Sequence, residues 1–327
     1  MNKLMGFLKN WTLPVAMGLG TLLYLLFASM PALQKAGAFF DSFFGELMPV
    51  FMFLVLFVTF CKVDFHQMKL QMWHLWVTLF QLLFVLVVVA VILSVAKEGD
   101  NKVLWEGILC CIICPSASAA AVVTAKLGGD IGSMTAYTFL SNFMAALMIP
   151  LFFPLIEKGV NITFLTAFWT ILQKVMLILV APLVFGWFVR NYVHWLYKRI
   201  MGISNLAFYL WGCLLSIVTG MTVKNIVNSH ASASLLVAIA AVSLLLCIWQ
   251  FAVGKYIGHF SRSAVNAGQA LGQKNTAFAI WTAYTYLNSI ASVGPGCYIL
   301  WQNIVNSWEI WLYRKHNAEQ PDNKARA

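Results

Sequence analysis

The chain has 327 residues, of which 61% are apolar and only 10% charged, against roughly 25% charged in soluble domains. That balance excludes a water-soluble fold, which would lack the polar surface to cover itself, and predicts an all-α integral membrane protein held in a lipid bilayer. The net charge of +10 would suggest nucleic acid for a soluble chain, but in a membrane protein the loop distribution of Lys and Arg carries the information, so no nucleic-acid partner is expected.

In chain order, apolar segments long enough to cross a bilayer run at roughly 11–29, 44–61, 71–96, 103–125, 131–156, 162–190, 204–222, 232–258, 264–287 and 289–312. They predict ten transmembrane helices in a single transmembrane domain, with 313–327 as a short tail. The opening MNKLMGFLKNWTLPVAMGLG runs into the first segment with no small-residue cleavage site, so this helix is expected to remain. With the N-terminus inside, the cytoplasmic loops hold Lys3, Lys9, Lys62, Lys69, Lys126, Arg190, Lys198, Arg199, Lys255, Arg262, Arg314, Lys315, Lys324 and Arg326. The opposite loops hold Lys35, Lys97, Lys102, Lys158 and Lys224. Fourteen against five predicts cytoplasmic N- and C-termini in a cell membrane, and leaves Lys174 and Lys274 inside spans.

Two spans are dense in helix breakers and small polar residues: CPSASAAAVVTAKLGGD in the fourth and GQALGQKNTAFA in the ninth. Pro115 and Gly272 lie 157 residues apart, close to the offset between the first and sixth spans. The chain therefore reads as two five-helix repeats, about 11–156 and 162–312, and an odd number of helices per repeat forces the second to insert inverted. Interrupted helices at matching places in inverted halves point to a midplane binding site. Pro115 lacks an N–H and frees carbonyls upstream, Ser116 and Ser118 can cap a restarted helix, and Gly272 offers backbone freedom.

Together these residues resemble the bile acid:sodium symporters, which implies ten helices in two inverted repeats with broken, crossing helices four and nine. CCIICPSASAAAVVTAKLGGD is similar to the family's Cys-Pro-Gly-Gly-Thr-Ala-Ser-Asn run ending in Gly-Asp, and ALGQKNTAFA to its Glu-x-Gly-x-Gln-Asn-Ser/Thr. The resemblance implies substrate and ion contacts at Pro115, Ser116, Ser118, Thr138, Asn142, Gly272, Gln273, Lys274, Asn275 and Thr276. It also exposes departures. The family's sodium-ligating Ser-Asn pair falls on Ala120 and Ala121, its helix-five serine on Met134, its shared glutamate on Ala270 and its glutamine on Lys274. Thr138, Asn275 and Thr276 keep the pattern. Sodium needs hard oxygen ligands that alanine and methionine cannot supply. Lys274 adds a positive charge with three donors where the carboxylate is lost, which predicts a built-in substitute for the ion.

Other features have plainer readings. A charge at mid-depth costs about 2.5–3.5 kcal/mol, so Lys274 reads as functional, with snorkelling as the alternative; Lys174, nearer a span end, reads as a snorkelling side chain. Cys111 and Cys114 have redox or metal spacing but sit in an apolar helix without a second pair, and read as packing residues. All six histidines lie near loops or span ends, no HExxH appears, and neither a metal nor a cofactor is expected. Trp73, Trp105, Trp187, Trp195 and Trp311 read as an interfacial belt, Asp130 as a helix cap, and Glu106 as an outer-surface carboxylate paired with Lys102. Thr138, Ser141 and Asn142 share a helix face and either line the crossing or join neighbouring helices.

Chemistry and resemblance agree in sign on a small or amphipathic organic anion moved by alternating access without sodium. Energy would come from a proton, from substrate exchange or from no coupling. The alternatives are a non-transporting receptor or sensor on the same fold, or a sodium-coupled symporter using other ligands. No pair of spans offers a nucleophile with its base, so an enzyme is not expected.

Overall fold

The computed structural model describes residues 12–30, 34–63, 68–157, 162–203, 205–229 and 231–319. Lys3, Lys9, His66, Lys158, His230, Lys324 and Arg326, used above for orientation or as loop markers, lie outside them. Among the described residues every regular element is helical. In chain order these are α1 (Thr12–Ser29), α2 (Gln34–Cys61), α3 (Met72–Ser94), α4 (Gly99–Ile113), α5 (Ala120–Lys126), α6 (Ile131–Ile156), α7 (Phe164–Leu179) and α8 (Ala181–Tyr192). They continue with α9 (His194–Gly202), α10 (Leu206–Asn228), α11 (Ala233–His259), α12 (Ala264–Gly272), α13 (Thr276–Tyr286), a 3₁₀ turn (Ser289–Ser292) and α14 (Val293–Glu319).

Among the described residues, five stretches of helix are long and apolar enough to cross a membrane: α3, α6, α7 continued by α8, α10 and α11. The α3 sequence is apolar all round, and Leu75, Trp76, Leu79, Leu83 and Leu86 lie exposed on it. Leucines exposed in this density suit lipid and not water, so the chain is a multi-pass membrane protein.

The helices outrun the hydrophobic segments that predict them. α2 starts at Gln34 instead of near 44, α10 runs to Asn228 instead of 222, α14 reaches Glu319 instead of 312, and α9 forms where no span was expected. Hydropathy reports contact with lipid, whereas a nucleated helix propagates through polar residues at little cost. Asp130 caps α6 as expected, its carboxylate accepting from Ser133 N–H at 3.2 Å. Trp73 departs from the predicted belt: it is fully buried, tilted against Tyr137 and bonded through Nε1 to Gln71 Oε1 and Ser133 Oγ. Trp187, Trp195 and Trp311 are exposed.

Two packed groups enclose the interrupted helices. α10 lies against α1 and α2, and α2 against α8; α11 lies against α12, α14 and α4. The main core joins Met52 and Leu56 of α2, Val88 of α3, Ile112 of α4, Ile149 of α6, Val175 of α7, Val218 of α10 and Phe278 of α13. The half-helix α12 touches α11 backbone to backbone because Gly254 and Gly258 carry no side chain. A Cβ at Gly254 would lie 2.3 Å from the Ala267 carbonyl oxygen. Gly254→Leu should therefore push α12 off its seat and lower stability by about 2–4 kcal/mol, read as a fall of several degrees in the melting temperature of the detergent-purified protein. A melting temperature unchanged from wild type would show that this contact does not fix α12.

Candidate functional site

α4 stops at Ile113 and α5 starts at Ala120; α12 stops at Gly272 and α13 starts at Thr276. The two interruptions meet. Ser116 and Lys274 pair antiparallel, with Ala117 N–H donating to Gln273 O and Asn275 N–H to Pro115 O, each at 2.9 Å. Two short extended segments thus satisfy each other's backbone groups in the protein interior, where unpaired ones would be costly.

The remaining carbonyls freed by the breaks are met by side chains. Cys111 O, which would have accepted from the missing N–H of Pro115, accepts from Gln250 Nε2 at 3.3 Å. Ser116 N–H turns to Ser141 Oγ at 2.7 Å, which leaves Ile112 O without its helical donor. That oxygen accepts from Gln81 Nε2 at 2.8 Å and from Lys274 Nζ at 3.1 Å. Gln81 Nε2 also reaches Cys114 O at 3.3 Å. At the second break Gly272 O accepts from Tyr298 Oη at 2.7 Å. Gln302 grips the Lys274 backbone at both groups, Oε1 accepting from its N–H at 2.9 Å and Nε2 donating to its carbonyl at 3.3 Å.

Lys274 is 1% exposed, so it does not snorkel. The ion pairs of the described residues lie elsewhere, Lys102 with Glu106 and Glu157 and Lys255 with Glu309. The ammonium is held by a carbonyl dipole, the kind of oxygen that would otherwise face a bound cation.

The expected site residues divide. Pro115, Ser116, Gly272, Gln273, Lys274, Asn275 and Thr276 come together at the crossing. Asn275 also caps α13, its Oδ1 accepting from Phe278 N–H at 3.3 Å. Two expectations need correction. Neither Ser116 nor Ser118 caps α5: its first cap is Ala119, which has no hydroxyl. Gly272 does not adopt a left-handed backbone; an added Cβ there would lie 2.3 Å from the Phe251 ring, so the residue is small for space and not for conformation. Thr138 and Asn142 bond back within α6, to Met134 O and Thr138 O, and Ser141 is the member of that face whose hydroxyl reaches the break.

The departures from the family's ligand pattern also converge. Ala120, Met134 and Ala270 are fully buried in one apolar cluster with Trp73, Val77, Tyr137, Ala267 and Leu271, and Ala121 packs at its edge. Places far apart in the chain therefore meet in space in one apolar cluster.

Glu106 is a further correction. It is fully buried and not a surface carboxylate; Lys102 Nζ stands 3.7 Å from its Oε1 but 2.5 Å from Glu157 Oε1, and Asn288 N–H donates to its Oε2 at 3.1 Å. Cys111 and Cys114 are buried and free.

A multi-pass helical membrane protein with two interrupted helices joined at its centre is the architecture of a transporter. The family model described as the sodium bile acid symporter family matches residues 49–229, more than half of the 327, and the chain belongs to that family. Its members are membrane transporters of bile-acid-type substrates, not enzymes. The matched stretch takes in the first break and stops before the second. No curated protein matches the chain in sequence.

Gln81, Gln250, Tyr298 and Gln302 were not among the expected site residues, although a glutamine in the middle of an apolar run is a legible signal. Gln302→Ala removes two hydrogen bonds and leaves the buried Lys274 N–H without an acceptor, although the carbonyl keeps the Thr276 N–H, and should cost about 2–4 kcal/mol. Tyr298→Phe leaves one carbonyl and should cost about 1–2 kcal/mol. Chemical unfolding of the two variants should rank them in that order; a milder effect for Gln302→Ala would mean that Gln302 does not hold the break.

Proposed function

We propose that the chain is a sodium-independent transporter of a small or amphipathic organic anion, such as a bile-acid-like or other carboxylate or a sulfate conjugate. Lys274 takes the place of the coupling cation. Ten spans in two inverted repeats, about 11–156 and 162–312, form one transport domain with cytoplasmic termini, working by alternating access around the crossing. The contacts named above from Pro115, Ser116, Ser118, Thr138, Asn142 and Gly272 to Thr276 are the proposed surroundings of substrate and charge.

One observation carries this reading: a buried ammonium on the Ile112 carbonyl, beside an apolar cluster that occupies the positions of the family's sodium ligands. Ala120, Met134 and Ala270 offer no hard oxygen, so the residues present do not fit sodium. A fixed positive charge supports an anionic substrate, since a second cation at that place would be repelled.

Flux into proteoliposomes tests it. Across a panel of bile-acid-like carboxylates, smaller carboxylates and sulfate conjugates, uptake of the transported anion should be the same in sodium, potassium or choline. A steep sodium dependence would overturn the reading, and binding without flux would make the chain a sensor.

The charge is separable from the packing. Ile112 O keeps its bond from Gln81, so Lys274→Ala should cost only about 1–3 kcal/mol. Lys274→Met fills the space without a charge and should hold or raise the melting temperature, as apolar replacement of buried charges often does. Both variants should lose anion flux. Lys274→Gln combined with Ala270→Glu restores the family's chemistry at one place and should gain stabilisation by sodium that neither single variant shows. Undiminished flux in Lys274→Met would remove the ammonium from the mechanism.

A further inference from the structure

Away from the crossing, an open cavity of about 450 Å³ lies between the start of α4, the end of α6, the approach to α11 and the turn that follows α13. Lys102, Glu157, Asn288 and Asp100 line it, with Val103 and Leu235 on its apolar side. Asp100 is engaged by Ser232 Oγ at 3.4 Å. Lys102 and Glu157 are partly exposed to the cavity, whereas Glu106, next to both, is fully buried.

The hydrogen bonds around Glu106 do not balance. Its Oε2 accepts from Asn288 N–H, but its Oε1 is buried and receives no hydrogen bond. The Lys102 ammonium, 3.7 Å away, is committed to Glu157 at 2.5 Å. Glu157, at the end of α6, holds the same ammonium from the cavity side. The charged groups acting on Glu106 are Lys102 on its own helix and Glu157 at the end of α6; the thiol of Cys110 lies one turn further along α4. The turn after α13 supplies an N–H, and Leu235 of α11 is apolar. With Lys102 drawn to Glu157, an ionised Glu106 leaves a poorly compensated negative charge in a buried position, and its Oε1 has no donor. A single proton supplies both the missing charge and the missing donor.

We propose that Glu106 binds one exchangeable proton at Oε1, beside the Lys102–Glu157 ion pair and reached from solution through this cavity, and that it is a proton-binding site separate from the crossing. When the proton leaves, Glu106 becomes a second anion and Lys102 must be drawn from Glu157 towards it. That movement loosens the contact between the start of α4 and the end of α6. The assignment stands whether or not the chain moves a solute.

Infrared difference spectroscopy on the full chain in liposomes, titrated with acid and base, reads the carbonyl stretch of a protonated carboxyl group directly. Wild type should show such a band, shifting rapidly on transfer to deuterated buffer because the cavity admits solvent. Glu106→Gln should abolish it. Glu157→Gln frees Lys102 to pair with Glu106 and should weaken the band at a given pH, whereas Lys102→Met removes the counter-charge and should strengthen it. Gel filtration checks that each variant folds; if Glu106→Gln does not, the opposite shifts in Glu157→Gln and Lys102→Met decide. Absence of the band from wild type, or a band that is indifferent to Glu106 and Glu157, would overturn the proposal. A band that resists deuterium exchange would overturn access through the cavity.

Discussion

Everything at the centre of this molecule follows from one constraint: a carbonyl oxygen buried out of reach of water must have a donor. Pro115 interrupts α4 and leaves Cys111 O and Ile112 O without helical partners. In lipid or protein interior each such oxygen is worth a few kcal/mol unless it is met. The carbonyls freed at the two breaks are met from four directions, with Gln81 on α3, Gln250 on α11, Tyr298 and Gln302 on α14, and the second broken helix itself, while Ser141 on α6 accepts from the freed Ser116 N–H. Lys274 belongs to this set. Its side chain is a second donor to Ile112 O beside Gln81, so the backbone there does not depend on it alone.

The apolar cluster around Ala120, Met134 and Ala270 gives that charge its meaning. A cation site needs oxygen ligands and an anion to offset the ion. In the proposed reading both are missing, since Ala120, Met134 and Ala270 stand at those places and Lys274 follows Ala270 by four residues. The changes are chemically complementary. Replacing the glutamine by lysine while keeping the glutamate would have set a salt bridge in the core, and removing the glutamate alone would have left a half-built site. Removing both the ion and its ligands, and adding a tethered charge, avoids each of these outcomes.

Much of the architecture could be read from the residues, because breakers in an apolar run are conspicuous: Pro115 and the Gly272 to Thr276 stretch do meet. Asp130 capped its helix as its type and place suggested. What was not legible depended on neighbours distant in sequence. Nothing local distinguishes Gln302, which holds both backbone groups of a residue 28 positions away, from a glutamine paired within its own helix. Gly272 was read for flexibility, whereas the deciding object is the Phe251 ring on another helix. Trp73 has the position of an interfacial residue and the surroundings of a core one, because Tyr137 and Ser133 from α6 close over it. Glu106, four residues from Lys102, carries the signature of a surface pair, and only the turn after α13 buries it.

The grip of Gln302 on Lys274 separates two things that usually move together. Because the amide side chain bonds both the N–H and the carbonyl of Lys274, it braces the two peptide units that flank the residue where it pairs with Ser116, independently of the four-carbon stem. Ile112 O is shared between Lys274 Nζ and Gln81 Nε2, so the join between the two broken helices is fastened by backbone and amide contacts and does not hang on the tip of the lysine side chain.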